Sequence, residues 1–180
     1  MNREAFQSEI LKEPYYTYFV LGHELYHSLF APGSPTLGSL YSHRGDCIAN
    51  HFNETCSKFA VGACSSGNQT FNEDAPDLES YRLLHSLLLE HYNESELNSK
   101  IDGFEITLEQ AFFYYVASKH CQEEMINVNH PPENAHSANN IRLNAAYSLM
   151  PEFSNAFGCK KGDQMFVEKE GSCYAFGPDS

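Results

Sequence analysis

Apolar residues recur at helical spacing in several stretches of the chain, and this pattern predicts a mainly α protein. Pro14 suits the first turn of a helix that continues to about Phe30, where an Ala-Pro-Gly turn ends it. Leu84, Leu87 and Leu88 recur with helical periodicity and predict a second helix over residues 73–91.

Two further helices are predicted in the second half of the chain. The stretch 107–121 is apolar with helical spacing and opens with a capping box formed by Thr107 and Gln110. A fourth helix is predicted from about Ser137 to just before Pro151. Residues 40–72 and the Pro- and Asn-rich stretch 127–137 are predicted to be irregular, and residues 152–180 to form a short turn of helix followed by coil.

The 180 residues are enough for a single domain, 1–180, with a core of its own. Acidic residues outnumber basic ones by 24 to 11, and the resulting net charge of −13 argues against nucleic acid as a partner. No apolar run reaches the roughly 20 residues that a membrane-spanning helix needs. The charged first 14 residues do not resemble a signal peptide, so neither a signal nor an anchor is visible.

Six cysteines without a C-x-x-C pair favour disulfides over a structural zinc site, and therefore an oxidising compartment. Cys56 and Cys64 are close enough in sequence to form a local bridge. Sequons at Asn53, Asn68 and Asn93 agree with export, although about two are expected by chance in this composition.

The first predicted helix carries an H-E-x-x-H motif, His23-Glu24-Leu25-Tyr26-His27. Histidines four residues apart lie on one helical face, so both imidazoles can bind one Zn²⁺ ion, which lowers the pKa of a bound water to about 7. Glu24 is then placed to take a proton from that water and pass it to a leaving amine. The alternative is two exposed histidines on an ordinary amphipathic helix, but chance gives only about 0.04 such motifs in this chain.

The third metal ligand distinguishes classes of zinc peptidase. The extended metzincin pattern requires glycine and histidine where this chain has Phe30 and Gly33, which excludes that class. The other large class takes a glutamate from a later helix, followed one turn on by an aspartate. Glu73 and Asp77 form the one E-x-x-x-D in the chain, so Glu73 is predicted to bind zinc and Asp77 to accept the N–H of a ligand histidine. The alternative is an acidic helix N-terminus favoured by the helix dipole.

These motifs and those that follow them resemble the catalytic, C-terminal part of the neprilysin and endothelin-converting-enzyme family of zinc metallopeptidases. The family carries V-I-G-H-E-[IL]-T-H, E-N-I-A-D, D-V-H-S-P with a later arginine, and P-E-F…F-x-C. The counterparts here, in the same order, are VLGHELYH (20–27), EDAPD (73–77), NAHS (134–137) with Arg142, and PEFSNAFGC (151–159) with a final Cys173.

The resemblance implies a zincin-like (gluzincin) helical subdomain with disulfide-tied irregular segments. It implies one Zn²⁺ bound by His23, His27 and Glu73, Glu24 as the catalytic base and Asp77 as the partner of a ligand histidine. It further implies that His136 stabilises the oxyanion and that Arg142 binds the peptide substrate. Without the family, His136 is an ordinary loop histidine and Arg142 a solvated helix residue.

The resemblance also pairs Cys47 with Cys173. The family counterparts of Cys121 and Cys159 pair with cysteines in an upstream part that is absent here, so these two are either free or paired with each other. An N-terminal domain is thus expected to be missing from this sequence, and the protein is expected to be extracellular or the ectodomain of a plasma-membrane protein.

Several positions depart from the family pattern and bear on activity. Tyr26 replaces a threonine, Pro76 is expected in the first turn of the helix that carries Glu73, and Asn134 replaces an aspartate. The last tryptophan of the family is replaced by Tyr174 and Phe176. Three functions are therefore compared: a zinc endopeptidase, a zinc-binding but weak or inactive paralogue or fragment that binds peptides or a partner, and a metal-free helical extracellular domain. We expect zinc binding with slow peptide cleavage.

Overall fold

Helices dominate the computed structural model, which describes residues 15–30, 38–60, 64–118, 120, 136–168 and 173–174. No strand occurs among these residues, which confirms the prediction of a mainly α protein. The helices are α1 (Tyr15–Phe30), α2 (Gly38–Phe59), α3 (Gly67–His91), α4 (Glu94–Leu97), α5 (Leu108–Ser118), α6 (Asn139–Ser148) and α7 (Pro151–Phe157).

Helix α3 lies at the centre of the fold, where α1, α2 and α6 pack against it. Its stretch from 74 to 81 is buried without interruption, because neighbouring helices cover every face. The helix begins six residues earlier than the sequence predicted. Ser66 is the N-cap and accepts a hydrogen bond from the backbone N–H of Gln69, while the Asn53 side chain accepts one from Gly67 N–H at 2.7 Å.

Pro76 lies inside α3, not in its first turn, so that prediction was wrong. Because proline has no backbone N–H, the helix lacks one backbone hydrogen bond at Pro76. The helix nevertheless continues, since Ala75, Pro76 and Leu78 are all buried against neighbouring helices. Tertiary packing therefore outweighs the local cost of the proline.

Helix α2 corrects the prediction that residues 40–72 are irregular. Ile48, Phe52 and Thr55 recur at helical spacing and are buried against the rest of the fold. The exposed polar residues between them, such as Asn53 and Glu54, obscured this pattern.

The helices of the second half follow the prediction closely. Thr107 and Gln110 form the expected capping box, with hydrogen bonds of 3.0 and 3.2 Å between each side chain and the backbone N–H of the other. Helix α6 ends before Pro151, and α7 is the predicted short helix, which stops at Gly158 with φ of 65°. Predictions that concerned Pro14, Gly33, Cys121, residues 127–135 with Asn134, and Phe176 lie outside the described residues.

Two disulfides join distant and local segments, and both were predicted. Cys47 on α2 is bonded to Cys173, and Cys56 is bonded to Cys64. Cys159 forms no disulfide, so of the two alternatives left open for it, free or paired with Cys121, the structure has the free thiol. The Arg82 guanidinium adds a second anchor beside the first bridge, since it donates to the carbonyl oxygens of Leu149 and Cys173 at 3.1 and 2.7 Å.

Among the described residues, no helix has the length and apolar character needed to cross a membrane.

Candidate metal centre

Helix α1 brings the two histidines of the H-E-x-x-H motif onto the face that packs against α3. Gly22 allows the close approach, because a Cβ at this position would lie 3.1 Å from Leu83 Cδ2 and 3.2 Å from Ser80 Oγ on α3. His23 follows and is buried, while His27 lies one turn later and is half-buried. Their Nε2 atoms are 2.9 Å apart.

Glu73 completes this group from α3. Its Oε2 lies 3.3 Å from Nε2 of His23 and 3.3 Å from Nε2 of His27. The three candidate ligand atoms all lie within 4.8 Å of one another. The structure therefore brings together the three predicted ligands from two separate helices.

The chemistry of this donor set fits a zinc ion. Two neutral imidazole nitrogens and one carboxylate oxygen, with a fourth position for water, form a common catalytic zinc environment. When neutral His23 donates its Nδ1 proton to Asp77, its Nε2 presents a lone pair towards Nε2 of His27. The two Nε2 atoms are 2.9 Å apart, and Oε2 of Glu73 lies 3.3 Å from each, so all three atoms are close enough to bind one cation.

Asp77 is the predicted partner of a ligand histidine, and it contacts His23. Its side chain is fully buried, and Oδ1 lies 2.8 Å from Nδ1 of His23. Burial would raise the pKa of Asp77, but hydrogen bonds from His23 and Arg142 outweigh it, so the pKa lies below its usual value. Asp77 is therefore a carboxylate that accepts the Nδ1 proton and fixes the tautomer of His23.

The same contact changes the proton affinity of His23. Burial alone would lower the pKa of this imidazole, yet the hydrogen bond to Asp77 and the negative charges of Asp77 and Glu73 raise it above its usual value. A bound cation must displace the proton that this environment favours on Nε2, and zinc binding is consequently coupled to proton release.

Arg142 on α6 also binds the carboxylate of Asp77. Its Nε and Nη2 donate to Asp77 at 2.5 and 2.9 Å in a two-point contact, and 14% of its side chain is exposed. The guanidinium was predicted to bind substrate. In the structure it binds a carboxylate of the protein, and its substrate contact stays a prediction.

His136 lies at the edge of the ligand group. Its Nε2 is 3.0 Å from Oε2 of Glu73, and 44% of its side chain is exposed. The predicted oxyanion-stabilising histidine is therefore next to the candidate metal ligands and accessible from solvent. Glu24, the predicted base, follows His23 on α1 and is exposed.

A buried aspartate beside Glu73 was not predicted. Asp74 is fully buried, and its Oδ2 accepts hydrogen bonds from the hydroxyls of Thr70 at 2.6 Å and Ser137 at 2.9 Å. Burial raises the pKa of Asp74 to about 7, although both hydroxyls oppose the shift. Thr70 and Asp74 are four residues apart, which was the local signal, but the contact with Ser137 depends on the tertiary fold.

The model of peptidase family M13 matches residues 5–173, which is nearly the whole chain. No curated protein and no solved structure gives a significant match.

Proposed function

Because the chain belongs to peptidase family M13, the neprilysin and endothelin-converting-enzyme family, we propose that it is a zinc-dependent metalloendopeptidase. The family consists of metallopeptidases with a zincin-like fold, so peptides are the substrate class. The convergence of His23, His27 and Glu73 from two helices supports a single zinc site in this chain.

Zinc would polarise the scissile carbonyl and lower the pKa of a bound water. The residues of the chain would do the rest. Glu24 would take a proton from the attacking water and deliver it to the leaving amine. His136, with a ring nitrogen beside Glu73, would donate a hydrogen bond to the oxygen on which negative charge develops.

Asp77 and Arg142 would act behind this site. Asp77 orients His23 through the Nδ1 contact, and Arg142 keeps Asp77 charged by donating two hydrogen bonds to it. In this arrangement Arg142 supports the ligand His23 through Asp77. Its Nη1 would be the nitrogen that donates to a peptide carbonyl.

Zinc content and peptide hydrolysis test the proposal together. The purified chain should contain about one zinc, and His23→Ala should remove it. Glu24→Gln should keep the metal and abolish turnover of a quenched peptide library, while Glu90→Gln, which changes an exposed glutamate at the end of α3, should keep both. Full zinc content in His23→Ala would show that the metal lies elsewhere.

A second candidate is a zinc-binding protein with weak or no peptidase activity, which binds peptides or a protein partner. The two-point contact between Arg142 and Asp77 favours it, because a guanidinium that pairs with a protein carboxylate has fewer donors for substrate. One zinc with no turnover, and no difference between wild type and Glu24→Gln, would support this function over the first.

The setting of the protein follows from the same proposal. We place residues 1–180 in one domain that corresponds to the catalytic part of the family. The two disulfides support an oxidising compartment, and hence an extracellular protein or an ectodomain.

A further inference from the structure

A buried hydrogen-bond cluster lies directly behind the candidate metal centre. It consists of Thr70, Asp74 and Ser137. Both hydroxyls donate to Oδ2 of Asp74, and the two hydroxyl oxygens are 3.2 Å apart. The other oxygen, Oδ1, has no hydrogen-bond partner among the described residues.

The cluster and the metal centre are formed by adjacent residues on the same two segments of the chain. On α3, Glu73 precedes Asp74, and on the segment before α6, His136 precedes Ser137. Glu73 contacts His136 at 3.0 Å, and Asp74 contacts Ser137 at 2.9 Å. Two parallel contacts therefore fix the position of this segment along α3.

The anchor lies next to His136 in the segment that leads into α6. Ala138 is the N-cap of α6 and makes no side-chain capping bond, so the hydrogen bond from Ser137 to Asp74 is a side-chain link between the start of this helix and α3. His136 itself is almost half exposed. A half-exposed side chain at the end of a helix needs such an anchor if its ring nitrogen is to remain near one point.

We propose that Asp74 is a positioning residue that holds Ser137 and thereby sets the imidazole of His136 against the metal centre. The functional consequence rests on the proposed peptidase function, whereas the positioning itself does not. A purely structural cluster would stabilise the fold without affecting the environment of the His136 ring.

Histidine ring NMR signals of the metal-free chain test the positioning directly. Ser137→Ala and Asp74→Ala should shift or broaden the His136 signal, while the signal of buried His51 serves as an internal control and stays unchanged. Ser137→Thr keeps the hydroxyl and Asp74→Asn keeps an oxygen acceptor, so both variants should retain the wild-type His136 signal. They show whether a changed signal in the alanine variants comes from the lost hydrogen bond or from misfolding. Ser95→Ala, an exposed serine in α4, is the matched control. An unchanged His136 signal in Ser137→Ala would overturn the proposal.

Hydrolysis by the zinc-loaded chain tests the consequence. Ser137→Ala should lower kcat by about tenfold or more, since a displacement near 1 Å can cost about 100-fold, with zinc content unchanged. In a His136→Ala background the same substitution should cost nothing further; additive losses would overturn the proposal. If His136→Ala leaves hydrolysis intact, the catalytic role proposed for His136 fails, and the ring signals still decide the positioning.

Discussion

At the scale of single residues, Asp77 connects the metal centre to the rest of the molecule. It is fully buried and binds two partners on different helices, His23 on α1 and Arg142 on α6. A buried carboxylate is tolerated only when paired and hydrogen-bonded, and here every donor that it accepts from belongs to a site residue. One side chain therefore links ligand orientation to fold stability.

The substitution Asp77→Asn tests both ligand orientation and fold stability without removing the side chain. The amide keeps the size, but its NH₂ group would face the Arg142 guanidinium in either orientation, and His23 as well in one of them, and the arginine would lose its charge partner. We expect zinc affinity to fall by about 10- to 100-fold. The free energy of unfolding should fall by about 3 kcal/mol or more. Zinc competition with a chelator and urea unfolding measure the two quantities, and Asp102→Asn, an exposed turn residue, is the matched control. Wild-type zinc affinity would contradict the role given to Asp77.

His51 gives a prediction for pH dependence away from the metal centre. It is buried on α2, its Nε2 lies 2.8 Å from Ser148 Oγ, and burial lowers its pKa to about 4. In the unfolded chain its pKa is about 6.5, so the unfolded state binds more protons between these values. The stabilisation is complete above pH 6.5 and is lost as pH falls towards 4.

Comparison of wild type with His51→Gln isolates this contribution. Between pH 7 and pH 5 the wild type should lose about 2 kcal/mol more stability in urea unfolding than the variant does. His91→Gln, an exposed histidine at the end of α3, should behave as the wild type. Equal losses in wild type and His51→Gln would show that His51 is protonated to the same extent in both states.

At the scale of helices, local motifs were predicted well, whereas tertiary contacts were predicted only where a zinc-peptidase pattern or the family resemblance implied them. The H-E-x-x-H motif needs only one helical turn, and the Thr107 capping box only four residues, so both are visible in the sequence. Helix α2 and the first six residues of α3 were missed, because exposed polar residues interrupt the buried stripe. The contact between Asp74 and Ser137 joins residues far apart in sequence, and no local pattern encodes it.

The junction of α2 and α3 depends on a glycine. A Cβ at Gly67 would lie 2.0 Å from the carbonyl oxygen of Ala49, a backbone atom of α2 that cannot move without the helix. Gly67→Ala should therefore force the helices apart and lower the free energy of unfolding by about 1–3 kcal/mol. Asn68→Ala, at the exposed next position, is the control, and equal stability of the two variants in urea unfolding would contradict the close approach.

At the scale of the whole molecule, the chain is closed by a disulfide between α2 and its C-terminal region. Cys47 and Cys173 are separated by 126 residues, whereas Cys56 and Cys64 are separated by 8. The Arg82 guanidinium also lies 4.5 Å from the centre of the Tyr174 ring, next to the longer bridge. The first bridge therefore ties the end of the described chain to α2, and Arg82 ties it to α3, which carries Glu73.

The two bridges should differ in their effect on stability because they close loops of different length. In the chain-entropy model the longer loop contributes about 5 kcal/mol and the shorter about 2.5 kcal/mol. The double substitution Cys47→Ser and Cys173→Ser should therefore lower the unfolding midpoint more than Cys56→Ser with Cys64→Ser. Urea unfolding of both variants under the same conditions measures the difference. Because neither pair touches the metal ligands in the described structure, both folded variants should still bind zinc. A larger loss from the shorter bridge would mean that native-state contacts around Cys56 and Cys64, and not loop closure, determine the contribution of the disulfides.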